Sequence, residues 1–313
     1  MQRLPTEMLF VVVTRTAFVA ALVLLLAIVS PHFLTTDNMV IVLRQAALQF
    51  LMAAGLTLVV LTGGIDLSVG AVLGLAACVG AGFIVKGYVL LGILAALGAG
   101  LACGIVNGAL VAYVGIPAFI ATYGMLWVAH GLGYVFMKGE VIHGFPAGFR
   151  ALGAGFFASL PIPVIAGALL LLALHVVLHL TRFGRALYAM GGNPVAARLT
   201  GMPTKRYLVT VYALSGMLAA FAGLVVIARV NAADSGTGEE LLLTAIAAVC
   251  LGGTSLFGGV GGIVGTAIGS LILALVVNGM NMLGIATFWQ AFAMGVILIL
   301  AVFADVTFKR RMS

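Results

Sequence analysis

Long apolar stretches recur along the whole of this chain and restrict its fold more than any single motif. Ten can be marked, roughly at 12–30, 45–62, 68–85, 89–113, 117–137, 161–180, 207–228, 241–257, 260–279 and 287–306. About 20 apolar residues in a helix cross the roughly 30 Å hydrocarbon layer of a bilayer, and most of these stretches reach or approach that length. Lipid offers no partner to a backbone N–H or C=O, so each segment must satisfy its own. The expected fold is therefore all-α: a polytopic helical membrane protein of about ten transmembrane helices, forming a single domain over residues 1–313. Only 7% of the residues are charged, against about 25% in soluble domains.

The net charge of +7 raises the question of a nucleic-acid partner. The charges are scattered through loops between apolar stretches and form no basic face interleaved with aromatics, which excludes that class. They report topology instead. With an even number of spans both termini share a side. Placing that side with the 181–206 loop gathers Arg3, Arg15, Arg182, Arg185, Arg198, Lys205, Arg206, Lys309, Arg310 and Arg311, ten of the 15 Lys and Arg residues. Arg44, Lys86, Lys138, Arg150 and Arg229 remain, among outer segments that also hold Asp37, Glu140, Asp234, Glu239 and Glu240. The positive-inside rule then puts the N- and C-termini in the cytoplasm. The opening run after Arg3 and Arg15 resembles a signal peptide but reads as a retained first span, since no small-x-small cleavage pattern follows Ser30.

The loop 181–206 carries no acidic residue and has a helix written into its middle. Asn193 suits an N-cap, Pro194 the first helical position, and Gly201 a left-handed end. A helix of one and a half turns does not hold in water alone and needs a surface to dock on. A short cytoplasmic coupling helix that passes force to a soluble partner is the expectation. The segment 138–160, with Pro146 and four phenylalanines, is expected to pack on the outer surface.

Two Gly-rich breaks, at 63–70 and 252–262, interrupt the apolar pattern and suggest bends within the membrane. GGIDLSVG (63–70) and GGTSLFGG (252–259) share Gly-Gly, a Leu at the fifth place and a Gly at the eighth, which allows an internal parallel repeat. Asp66 falls within continuous apolar sequence, where a charge is usually functional or locally capped. It can cap the helix that begins near Ser68, or line a transport path or gate. Proton coupling is disfavoured, because no second acid or histidine is expected at membrane depth. Asn107 and Asn278 can hydrogen-bond either a polyhydroxyl substrate or a neighbouring helix. The small-residue ladders Gly70/Gly74, Gly100/Gly104/Gly108 and Gly261/Gly265/Gly269 suit close helix packing.

Enzyme classes find no support. GGTSLFGGVGGIVG lacks the Lys of a phosphate loop, and Val264 stands where GxGxxG needs its third Gly, so no nucleotide site is expected in this chain. His175 and His179 lack the acid of a zinc-binding HExxH and suit the end of a span at the headgroups. Cys78, Cys103 and Cys250 lie in apolar stretches as small hydrophobes. No metal site and no catalytic set can be assembled.

GGIDLSVG, the AFIATYGML run (118–126), TRFGRALYAMGGNPVAARLTGM (181–202), AIAAVCLGGTSLFGG with the GxxG that follows (245–265) and NGMNMLG (278–284) resemble, in order, the permease subunits of ribose/xylose/galactose-type ABC importers. The resemblance runs from about Gln45 to the C-terminus. It implies a bacterial inner-membrane system: a second permease copy or paralogue, a cytoplasmic ABC ATPase that holds the ATP and Mg, and a periplasmic binding protein that delivers a sugar. No cofactor is implied for this chain. Gly192, Asn193, Pro194, Ala196, Ala197, Arg198, Leu199 and Gly201 match the family's coupling region. Gly63, Gly64, Asp66, Ser68, Asn107, Gly252, Gly253, Thr254, Ser255 and Asn278 are the expected pathway or gate residues. Two departures stand out: relatives usually carry Glu-Leu-Asp where this chain has Glu239-Glu240-Leu-Leu-Leu-Thr244, and often Arg at His130. The alternative from another class is an ion-coupled secondary sugar transporter, which should show a buried acidic network.

Overall fold

The computed structural model describes the backbone of residues 5–312 and the side chains of residues 15–303 and 307; Arg3 lies outside the described residues, as do the side chains of Lys309, Arg310 and Arg311. Helices follow one another with short links: α1 Pro5–Val29, α2 Thr36–Leu61, α3 Val69–Ile84, α4 Val89–Ala109 and α5 Ala118–Met137. A π-helical turn, Leu110–Val114, extends α4. Then come α6 Ala147–Ala154, α7 Ile162–Leu180, α8 Arg182–Gly192, α9 Pro194–Leu199, α10 Thr204–Val230, α11 Glu239–Leu251, α12 Ile263–Met282 and α13 Thr287–Met312. The fold is all-α and polytopic, as the apolar pattern dictates.

The ten apolar stretches form helices of unequal length. Among the described residues, six helices are long and apolar enough to cross a membrane: α2, Val89–Val114, α5, α7, α10 and α12. Within the described residues the apolar lengths Arg15–Val29, Val69–Ile84 and Thr287–Phe303 are shorter, and α1 and α13 continue beyond them. The stretch expected to run through 257 stops earlier, since α11 ends at Leu251 and has 13 residues, about 20 Å of helix. Residues 252–262 are not helical and form the second break.

At the centre, α10 crosses α4 and also packs on α2 and α3. The glycine ladders make this possible. A Cβ on Gly100 or Gly104 would collide with the backbone of Gly216 or Tyr212 in α10, and one on Gly265 or Gly269 with the backbone of Gly252 or Ala248. Each of these glycines therefore sits at a close backbone approach, which is the packing use. Polar groups join helices too. Asn38 and Asn278 exchange amide hydrogen bonds at 3.1 and 2.7 Å, and the hydroxyls of Thr57 and Thr266 meet at 2.8 Å, so α12 is tied twice to α2. Asn278, expected among pathway residues, thus serves helix–helix bonding.

One end of the bundle is closed by the segment between α5 and α7. β1 (Ile142–His143) pairs antiparallel with β4 (Ala232–Ala233), and β2 (Phe156–Phe157) with β3 (Leu160–Pro161). Phe145 and Phe149 are buried, and Gly153 lies against the backbone of α10. The segment packs on the surface as its apolar composition suggests.

The connection after β4 does not stay at that end. The Cys78 thiol of α3 donates to the Asp234 carbonyl, Thr237 O lies beside Gly74, and Gly238 O beside Gly70. Residues 234–238 therefore run back along α3 for eight positions, about 12 Å, before α11 begins. Glu239, expected on an outer loop, starts α11 level with the first turn of α3.

Candidate functional site

Both breaks open with the same helix cap. Gly63 N–H bonds Val60 O and Gly64 N–H bonds Val59 O; Gly253 N–H bonds Cys250 O and Thr254 N–H bonds Val249 O. That is the paired pattern of a Schellman motif, with a left-handed glycine (Gly63, φ 79°; Gly253, φ 71°) as the hinge. The echo between GGIDLSVG and GGTSLFGG thus has a shared local structure. The breaks also touch: Gly259 N–H donates to Leu61 O at 3.0 Å. Thr254 and Ser255 fold the second break onto itself, through Thr254 Oγ1, which accepts from Gly262 N, and Ser255 O, which accepts from Gly258 N. Arg15 in α1 donates to Gly252 O at 2.5 Å, a cation at the C-terminal end of α11. Arg15, grouped by sequence with a solvated terminus, is engaged at this break.

Asp66 is fully buried and accepts three hydrogen bonds. Oδ1 takes Ser68 N–H at 3.0 Å and Ser68 Oγ–H at 2.6 Å, and Oδ2 takes Ser215 Oγ–H from α10 at 2.9 Å. Asn107 of α4 donates to Ser68 Oγ at 2.8 Å, while its own Oδ1 is buried without a partner. Tyr212 of α10 donates to Ile65 O, and Thr122 of α5 accepts from Leu67 N–H. The first break is therefore stitched to α4, α5 and α10. The acid serves the start of α3 as expected, through the Ser68 amide, but it also binds a distant helix through Ser215, which sequence reasoning missed.

The basic loop holds two helices. Asn193 Oδ1 accepts Ala196 N–H at 2.9 Å, Pro194 is first in α9, and Gly201 takes φ 78°, all as the sequence predicts. The unexpected helix is α8. Thr181 Oγ1 caps it, accepting Gly184 N–H, and Gly184, Ala186, Leu187 and Met190 face inward. The Tyr188 hydroxyl donates to Gly261 O at 3.0 Å, and burial raises its pKa above the ordinary phenol value, so it stays a neutral donor. A Cβ on Gly191 would strike Leu61 O and the backbone of Gly258 and Gly259. The end of α8, the first break and the second break thus meet at one backbone junction, two residues from α9. On α9, Val195 and Leu199 are 66% and 82% exposed and one turn apart, whereas Ala197 is buried at 5%. Val195 was not singled out by sequence, although its i, i+4 spacing from Leu199 marks the shared face. Ala197 faces the protein.

A second polar contact lies away from the breaks. His130 Nδ1 of α5 is 2.9 Å from Glu239 Oε1 at the start of α11. The two departures from the family pattern therefore meet in space. Asp66 takes no part in this pair: its hydrogen bonds come from Ser68 and Ser215.

A bundle of apolar helices with two kinked, hydrogen-bonded breaks and an exposed capped helix beneath them is built as a multi-pass membrane transport protein. Residues 38–302 match the family described as the permease component of branched-chain amino acid transport systems, and the chain belongs to that family. It is 43% identical to the ribose import permease of Bacillus subtilis (strain 168) over 91% of this chain and 89% of that one. A probable ABC transporter permease of Sinorhizobium fredii is 36% identical, over 95% and 91%. The D-allose transport system permease of Escherichia coli (strain K12) is 35% identical, over 93% and 90%. No solved structure matches the chain significantly.

Proposed function

We propose that this chain is the membrane-spanning permease subunit of an ATP-driven ABC importer for a monosaccharide. Its relatives carry the names ribose import permease, ABC transporter permease and D-allose permease. In this reading the protein sits in a bacterial inner membrane with both termini cytoplasmic. It works with a second permease copy or paralogue, a cytoplasmic ATPase that binds ATP and Mg²⁺, and a periplasmic sugar-binding protein.

The observation that carries the mechanism is the junction of Gly191 with Leu61, Gly258 and Gly259. An ATPase docked on Val195 and Leu199 would move α8 and α9 as it closes. The junction leaves no slack between α8 and the two breaks, so that movement reaches α2–α3 and α11–α12 together. Alternation between outward and inward access follows when ATP and loaded binding protein favour different states. Asp66, Ser68 and Asn107 would hold the first break in register.

The ion-coupled alternative has one acid–histidine pair to draw on, but the relatives' names point away from it. Reconstitution decides. Proteoliposomes containing this permease, its ATPase and its binding protein should accumulate labelled ribose only with ATP inside, regardless of ionophore. Uptake that persists without ATP and collapses with ionophore would sink the reading.

A further inference from the structure

His130 of α5 and Glu239 of α11 meet in a half-exposed polar contact: the imidazole is 30% and the carboxylate 57% exposed. His130 stands seven residues from the end of the 20-residue α5, about 10 Å inside a helix about 30 Å long. Glu239 follows Gly238, which lies against Gly70, 14 residues from Ile84 at the far end of α3, or about 21 Å. Both groups are therefore within the span. α5 and α11 both pack on α3, and the His130–Glu239 contact bridges them.

Lipid tails do not tolerate a half-exposed carboxylate at this depth, whereas a water-filled cavity does. The neighbouring residues point the same way. One face of α5 carries Phe119, Tyr123, Trp127 and His130 in an unbroken ring series, with centroids 6.0, 6.4 and 6.2 Å apart. Phe119, Tyr123 and Trp127 are 57%, 47% and 59% exposed. Aromatics that face lipid gather at the two headgroup levels. Trp127 lies at the middle of α5, nine residues from Ala118 and ten from Met137. An aromatic ring beside a carboxylate and an imidazole suits a sugar: the ring covers its C–H face, the carboxylate accepts from hydroxyls, and the imidazole exchanges hydrogen bonds with them.

We propose that the exposed surface shared by α5 and α11 lines the aqueous path, and that Trp127, His130 and Glu239 form a station that holds a monosaccharide in passage. The sugar identity rests on the importer reading above; the aqueous path does not.

The test uses the complete importer in proteoliposomes, with Cys78, Cys103 and Cys250 changed to alanine. Trp127→Cys and, separately, His130→Cys are labelled with a charged methanethiosulfonate, with Leu172→Cys, exposed on α7, as the lipid-facing control. Labelling at 127 or 130 at least ten-fold faster than at 172 is expected. Labelling no faster than at 172 would overturn the proposal, as would ready cross-linking of two copies through either cysteine without reaction with the charged reagent. Glu239→Gln should lower initial ribose uptake at least ten-fold while the complex still co-purifies with its ATPase. Uptake at the unsubstituted rate would remove the sugar station. If the unsubstituted importer shows no ATP-driven sugar uptake while positions 127 and 130 label quickly, the proposed function fails and the aqueous path stands.

Discussion

Asp66 is a buried carboxylate whose three recorded hydrogen bonds all come from neutral donors: the Ser68 amide and the Ser68 and Ser215 hydroxyls. Asp66→Asn keeps an oxygen for the Ser68 amide, and its NH₂ group can donate to Ser215, so at least about a third of ribose uptake should remain. Asp66→Leu strands the amide and both hydroxyls in an apolar setting, at about 1–3 kcal/mol for each stranded group. Its amount in the membrane should fall several-fold, and uptake with it. The comparison is initial uptake per unit of permease in the membrane. An Asn variant as inactive as the Leu variant would refute the structural role and revive ion coupling. The local half of this network was legible, because an Asp two places before Ser68 at the head of an apolar run marks a helix start. The Ser215 and Asn107 contacts span 149 and 39 positions, and no local pattern announces them.

The coupling elements show the same division between local and distant signals. α9 was legible from Asn193, Pro194 and Gly201 because a cap, a fixed φ and a left-handed end are each properties of single residues. α8 was not, since its third and last residues are Gly184 and Gly192, weak helix formers that read as loop. Nor could a local pattern tell which side of α9 faces out: Ala197, chosen from sequence as a docking position, is buried. Ala197→Glu should now reduce the permease in the membrane, because it forces a charge into a buried site. Leu199→Asp, at an exposed position, should leave the amount unchanged and cut ATPase co-purification at least ten-fold. Leu199→Asp with full ATPase binding would remove α9 from the interface. Gly191→Val tests the junction itself: with no room for a side chain beside Leu61 and Gly259, the ATPase should still bind through α9 while uptake falls at least ten-fold. Normal uptake in that variant would mean that force takes another route.

Across the whole molecule, composition told that the chain is a helical membrane bundle but not how many helices cross it. Hydropathy follows apolar residues and is blind to depth, so the 13-residue α11 reads like a span although its start lies within the bundle. The same blindness placed Glu239 and Glu240 outside. Their reassignment does not disturb the orientation, because the positive-inside rule counts Lys and Arg and not net charge. The structure adds an independent constraint: pairing of Ile142 with Ala233 brings the 138–161 and 231–233 connections to one end. The 181–203 connection lies at the other end, across the 19 residues of α7 and the 27 of α10. That second end holds Arg182, Arg185 and Arg198, with Lys205 and Arg206 opening α10. Reporter fusions after residue 195 and at the C-terminus should therefore be cytoplasmic, and a fusion near Gly148 periplasmic. A periplasmic signal at 195 would invert the bundle. It would place Val195 and Leu199 where no ATPase can reach them, so the coupling mechanism would fall with the topology.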